Sequence, residues 1–167
     1  TQFNSIIGDI LYSIKYTGDN RHIQKYVVEP LEFIEIVFRK IMPSYGYAVR
    51  ENQIKMAKTM YEGLTHKAVT CCEAEVGTGK TLAYLVAGLA AKMFNQTYKH
   101  TGYPITIATA NIELQKAIME TEVPMLSQML MDYGMIKKPL SAVLRKGKEH
   151  YFCIARYKDY LMNISQH

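Results

Sequence analysis

Gly77, Gly79, Lys80 and Thr81 are the residues of this chain whose types and spacing best suit chemistry. In Ala74-Glu75-Val76-Gly77-Thr78-Gly79-Lys80-Thr81 the glycines let the backbone enter φ > 0 and gather its N–H groups around an anion. Lys80 aims a cation into the same concavity, and Thr81 offers a hydroxyl suited to Mg²⁺. A helix beginning at this point adds the partial positive charge of its N-terminus. The pattern predicts a triphosphate-binding loop, with Gly77, Thr78, Gly79, Lys80 and Thr81 around the phosphates.

Such a loop needs a strand before it and a helix after it. Val69-Thr70-Cys71-Cys72 is strand-like, and the apolar run through Leu82, Leu85, Leu89 and Met93 predicts a buried helix from Lys80 to about Phe94. Further along, Pro104 to Thr109 reads as a second buried strand and Ser141 to Leu144 as a third. Helices are expected from Asn111 through about Glu120, from Thr121-Glu122-Val123-Pro124 onward, and from Tyr151 to Ile164 with Phe152, Ile154, Tyr157, Leu161 and Ile164 inward. Strands alternating with helices predict an α/β fold, a partial parallel sheet sandwiched by helices. Ligands then sit at the carboxyl ends of the strands, where the loop, Thr109 and Lys146 fall.

Upstream, Phe3, Ile6, Ile7, Ile10, Leu11 and Ile14 recur at helical spacing. Pro30 opens a second helix, Leu31 to Ile41, which Pro43-Ser44-Tyr45-Gly46 should end. These first 45 residues form an N-terminal helical extension without recognisable chemistry. Residues 46–167 carry the rest, beginning with a helix that runs to about Leu64 and bears Ile54, Ala57 and Met60 on one face.

The 167 residues suffice for one domain with a core. An apolar fraction of 49 % and a charged fraction of 21 % are those of a globular chain, and a net charge of +5 is compatible with a polyanionic partner. No apolar run is long enough to span a membrane, so the cytoplasm is the default expectation, and no membrane partner is expected. Cys71, Cys72 and Cys153 do not make a disulfide framework; Cys71 and Cys72 read as small hydrophobes in a buried strand. A chain that begins with Thr1 reads as a piece of something longer.

Four blocks together resemble the DinG/XPD group of superfamily-two DNA helicases. They are Tyr47-x-x-Arg50-x-x-Gln53, Glu73-Ala74-x-x-Gly77-x-Gly79-Lys80-Thr81, Ile107-Ala108-Thr109-Ala110-x-x-x-Leu114-Gln115, and Leu144-Arg145-Lys146-Gly147-Lys148-x-x-Tyr151-x-Cys153. Ala74, where the strict loop motif has Gly, is the variant used by such helicases. The resemblance covers the chain from Tyr45 onward and implies the start of a RecA-like first motor domain of a P-loop NTPase. It implies an ATP-dependent helicase moving 5′ to 3′ along single-stranded DNA as a monomer, with ATP and Mg²⁺ as cofactors.

By the same resemblance, Gln53 with Tyr47 and Arg50 contacts adenine, since an amide offers both a donor and an acceptor. Lys80 neutralises charge that develops during hydrolysis, and Thr81 holds Mg²⁺. Thr109, Asn111, Lys146, Lys148 and Tyr151 face single-stranded DNA through phosphate contacts and stacking. Cys153 matches the first of four iron–sulfur ligands; a cluster is not expected in this chain, where no three further cysteines are placed to join it. The water-positioning Asp-Glu-x-His motif does not occur in the 167 residues, so weak nucleotide binding without effective hydrolysis is expected.

The loop alone also admits a small P-loop kinase or switch NTPase, or a non-hydrolysing nucleic-acid-binding module. The Thr109–Gln115 and Lys146–Tyr151 blocks weigh against the first, and the intact Lys80-Thr81 pair against the second.

Overall fold

A computed structural model describes residues 29–94, 104–147 and 150–164. The helix expected around Phe3–Ile14, the loop at 95–103 and Lys148 lie outside the described residues.

Helix α1 (Pro30–Ile36) begins where proline has its φ pre-set and no amide hydrogen to lose, with Glu32 in the positively polarised first turn. The chain then widens into a π-helical turn (Val37–Ile41) and closes with the short α2 (Met42–Ser44). Pro43 explains the widening. It cannot donate to the carbonyl four residues back, Arg39, and its ring would strike that oxygen. The turn therefore shifts to five-residue spacing, with the Met42 N–H on the Val37 carbonyl.

The same device recurs downstream. Helix α5 (Ile112–Ala117) passes through a π turn (Ile118–Glu122) into α6 (Val123–Asp132), and Pro124 stands two residues past that turn, as Pro43 does past the first. The helix start expected at Thr121–Pro124 is instead a widened turn inside one continuous rod. Between the two rods lie α3 (Glu51–Thr65) and α4 (Lys80–Phe94).

These helices share one core. Phe33, Ile34, Val37, Phe38 and Ile41 pack with Ile54 and Ala57 of α3, with Leu82, Ala83, Val86, Ala87 and Ala90 of α4, and with Leu126, Met129 and Leu130 of α6. The small residues of α4 let α3 approach closely, and this is the most extensive helix pair in the fold. Phe33 lies against Phe94 with ring centroids 5.7 Å apart and planes tilted by 54°. Residues 30–42 are therefore part of the core that carries the Gly77–Thr81 loop.

The expected α/β architecture with a parallel sheet is not what the chain forms. Among the described residues there is no strand. Val69–Cys72, Ile105–Thr109 and Ser141–Leu144 carry no ladder hydrogen bonds to one another. A parallel sheet requires an N–H···O=C partner along both edges of each interior strand, and β-branched composition specifies only the extended backbone. Val69 is 98 % exposed and Val143 76 % exposed, the reverse of sheet interiors.

What fixes these segments is contact with helices. Ile105 packs on Gly88, where an added Cβ would meet Ile105 Cγ2 at 2.9 Å. The Ala68 N–H donates to the Gly63 carbonyl at 2.9 Å, and the Leu140 N–H to the buried Ser127 hydroxyl at 2.9 Å. Helix α7 (Ile154–Ile164) has no buried residue, so the inward placement of Ile154, Tyr157, Leu161 and Ile164 is corrected too, as is that of Phe152 before the helix. No helix among the described residues is long and apolar enough to cross a membrane.

Candidate functional site

The glycine loop at 74–81 joins the irregular segment after α3 to the first turn of α4. Gly77 and Gly79 hold φ of +85° and +84°, the left-handed region that a side chain disfavours. Between them Thr78 closes a turn, its hydroxyl donating to the Glu75 carbonyl at 2.7 Å. The Gly79 carbonyl accepts from the Ala83 N–H at 3.2 Å, which starts the helix. Lys80 and Thr81 thus stand on the opening turn of α4, whose N–H groups have no acceptor within the helix.

Three side chains converge on this loop, and all three donate to its carbonyls. Lys80 Nζ reaches back to Ala74 O at 2.9 Å and Glu75 O at 2.7 Å. The Arg50 guanidinium donates to the Gly77 carbonyl. Gln53 Nε2 donates to Gly79 O at 2.8 Å, and Gln53 is only 3 % exposed. Arg50 caps the N-terminus of α3 and Gln53 stands one turn in, so the first turn of α3 and the loop form one unit.

That turn is itself held. Arg39 grips Glu51 with a two-point guanidinium–carboxylate pair at 2.6 and 2.7 Å and also binds Glu35, which takes Lys58 as well. Hydrogen bonding from Arg39 holds the Glu51 carboxyl below the usual range, and Lys58, then Arg39, do the same for Glu35. The Tyr47 hydroxyl meets Met125 Sδ at 2.6 Å. Tyr45 donates to Asp132, and that bond pushes its phenol up to about 12.

Thr109, Asn111 and Gln115 form a second group. Asn111 Oδ1 accepts from the Leu114 N–H at 3.1 Å, a side-chain cap on α5. Thr109 Oγ1 accepts from the Asn111 N–H at 3.1 Å, and Gln115 Nε2 donates to Thr109 O at 2.9 Å. Both residues expected to face DNA therefore also build the start of a helix. Thr109 retains its hydroxyl proton as a donor.

In the third group, the Tyr151 hydroxyl accepts from the Lys146 backbone N–H at 3.1 Å, which braces the basic loop while the exposed ring remains free to stack. Cys153 is exposed; Cys71 is exposed as well, against the expectation of a buried hydrophobe. Among the described residues no three His, Cys, Asp or Glu gather to hold a metal. The Thr81 hydroxyl is the group that would hold a Mg²⁺ ion here, and the ion would supply positive charge against a bound phosphate.

Sequence reasoning missed that Arg50 and Gln53 bond the loop itself. One signal was present: Gln53 lies four residues before Ala57 and next to Ile54, a polar residue on the apolar face of α3.

With the loop, the α5 cap and the basic loop in place, the comparisons find relatives that process nucleic acid. The chain is similar to DinG proteins. It is 27 % identical over 128 residues to the 3'-5' exonuclease DinG of Bacillus subtilis (strain 168). It is 30 % identical over 122 residues to the 3'-5' exonuclease DinG of Staphylococcus aureus (strain USA300). These matches take in 76 % and 72 % of this chain, but the chain spans only 12 % of the length of either DinG relative. No family model and no solved structure matches.

Proposed function

We propose that this chain is the ATP-binding portion of an ATP-dependent DNA helicase that couples hydrolysis to movement along single-stranded DNA, 5′ to 3′. The observation that carries the reading is the phosphate loop: two left-handed glycines with Lys80 and Thr81 on the first turn of a fifteen-residue helix. Its N–H groups and the helix terminus suit the β- and γ-phosphates. Lys80 would exchange its carbonyl partners for phosphate oxygens, and Thr81 would hold Mg²⁺, which would supply Lewis-acid charge stabilisation.

The similarity to DinG proteins supports nucleic acid as the partner. Those relatives are named 3'-5' exonucleases, a chemistry that commonly uses clustered metal-holding carboxylates. The role assigned to this stretch is that of the motor, because the glycine loop with Lys80 and Thr81 is the chemistry it carries. Thr109, Asn111, Lys146, Lys148 and Tyr151 are the residues proposed to meet single-stranded DNA.

The test is binding of labelled single-stranded DNA by this chain across a salt series. Affinity should fall linearly with the logarithm of salt, and Lys146→Ala should reduce the slope by about one. Absent or salt-independent binding would favour the kinase or switch-NTPase alternative.

A further inference from the structure

The proposal that follows rests on reading Gly77–Thr81 as a triphosphate loop, and it concerns the two side chains that reach that loop from α3. A trans peptide unit is planar, so the carbonyl of one residue and the N–H of the next point in opposite directions. A donor that grips a loop carbonyl from outside therefore fixes where the following N–H points. Arg50 grips the Gly77 carbonyl and so sets the peptide plane that carries the Thr78 N–H. Gln53 grips the Gly79 carbonyl at 2.8 Å and sets the plane that carries the Lys80 N–H.

These contacts act on the backbone alone. The Lys80 N–H is among the donors at the start of α4 that have no acceptor inside the helix and are left for a phosphate. Gln53 is 3 % exposed with an amide hydrogen committed to the loop. A base seeking two-point pairing with this amide would have to displace the bond to Gly79. The fit is close: a Cβ on Gly79 would stand 2.2 Å from Gln53 Nε2. Arg50 is anchored through its neighbour, because Glu51 is gripped at two points by Arg39.

We propose that Arg50 and Gln53 are positioning residues that aim the N–H groups of the phosphate loop, and that their contribution to nucleotide binding is independent of the base. The site accordingly takes the triphosphate group first. Selection of adenine over guanine falls to other residues.

The experiment is calorimetric titration of the 167-residue chain with Mg²⁺ and three probes: inorganic tripolyphosphate, ATP and GTP. Wild type is compared with Arg50→Ala, Arg50→Lys and Gln53→Met. Arg50 is exposed and makes no side-chain cap bond to its helix, so Arg50→Ala should fold even where a change at buried Gln53 does not. Thermal unfolding identifies which variants are folded. Arg50→Ala and Gln53→Met should each weaken all three probes by a common factor of roughly tenfold, the size of one lost hydrogen bond. Arg50→Lys, which keeps a cationic donor, should recover part of the loss. An unchanged tripolyphosphate affinity with a reduced preference for ATP over GTP would overturn the proposal and make these residues base readers, leaving the triphosphate loop intact. Wild type binding none of the probes would overturn the loop itself and this proposal with it.

Discussion

Substituting alanine at Gly79 and at Gly77 should have unequal consequences, although both residues hold nearly the same backbone conformation, φ +84° and +85°. In the left-handed region a Cβ costs about 1–2 kcal/mol at either site. At Gly77 that is the whole effect, since no atom lies within 4 Å of the added carbon. At Gly79 the added carbon would sit 2.2 Å from Nε2 and 2.9 Å from Cδ of Gln53. The Gln53 side chain must leave, and the 2.8 Å bond to the Gly79 carbonyl is lost. A buried amide stripped of its partner costs about 1–3 kcal/mol more. Urea denaturation of the chain should therefore show Gly79→Ala less stable than Gly77→Ala by about 1–3 kcal/mol. In a Gln53→Ala background the obstruction is absent and the gap should close. Equal costs in the wild-type background, or a gap that persists without Gln53, would refute the packing of Gln53 on the loop.

Other consequences are more direct. Phe33→Ala, which empties a fully buried site against Phe94, should cost about 3–5 kcal/mol in the same denaturation assay. Glu122 has a buried Oε2 with no hydrogen-bond partner, and burial pushes its carboxyl upward. A folded-state value above the unfolded one means the group favours folding below the unfolded value and loses that contribution as pH rises through the folded one. Glu122→Gln should accordingly raise the melting temperature at pH 7, with the gain fading as pH falls below about 4. Without an Asp-Glu-x-His motif in its 167 residues, the chain should turn over Mg-ATP far more slowly than a complete motor in a phosphate-release assay. Helicase-like turnover would show that other residues position the attacking water.

The helices were largely legible in the sequence, because their apolar residues recur at helical spacing and their starts carry chemical signatures. Pro30 opens α1 as expected, and Lys80–Phe94 is the helix the apolar run predicts. Pro43-Ser44-Tyr45-Gly46 ends its helix as expected, the last helical residue being Ser44 after one widened turn. Pro124 read locally as a helix start, yet its helix runs on from α5 through one widened turn, since tertiary packing outweighs a single lost hydrogen bond. The strands expected at Val69–Cys72 and Ile105–Thr109 do not form, because β-branched residues set only a local preference and a ladder depends on a distant partner. At the site, the loop and its glycines were visible from spacing alone. The bonds from Arg50 to Gly77 and from Gln53 to Gly79 join residues 27 and 26 positions apart, and no local pattern encodes that proximity. Asn111 was read as a DNA contact, although its place just before Ile112-Glu113 is also that of a helix cap, the role its side chain takes.

Mg-ATP binding to the chain and to its Lys80→Ala variant, measured side by side by isothermal titration, tests the central claim most directly. Lys80 now spends its ammonium on the carbonyls of Ala74 and Glu75, and its removal takes away the one cation on the loop's own backbone without touching either glycine. Wild type should bind, and Lys80→Ala should bind roughly ten- to a hundredfold more weakly, the range for losing a charge-assisted hydrogen bond. Equal affinities, or no binding by wild type, would contradict the reading of Gly77–Thr81 as a triphosphate site.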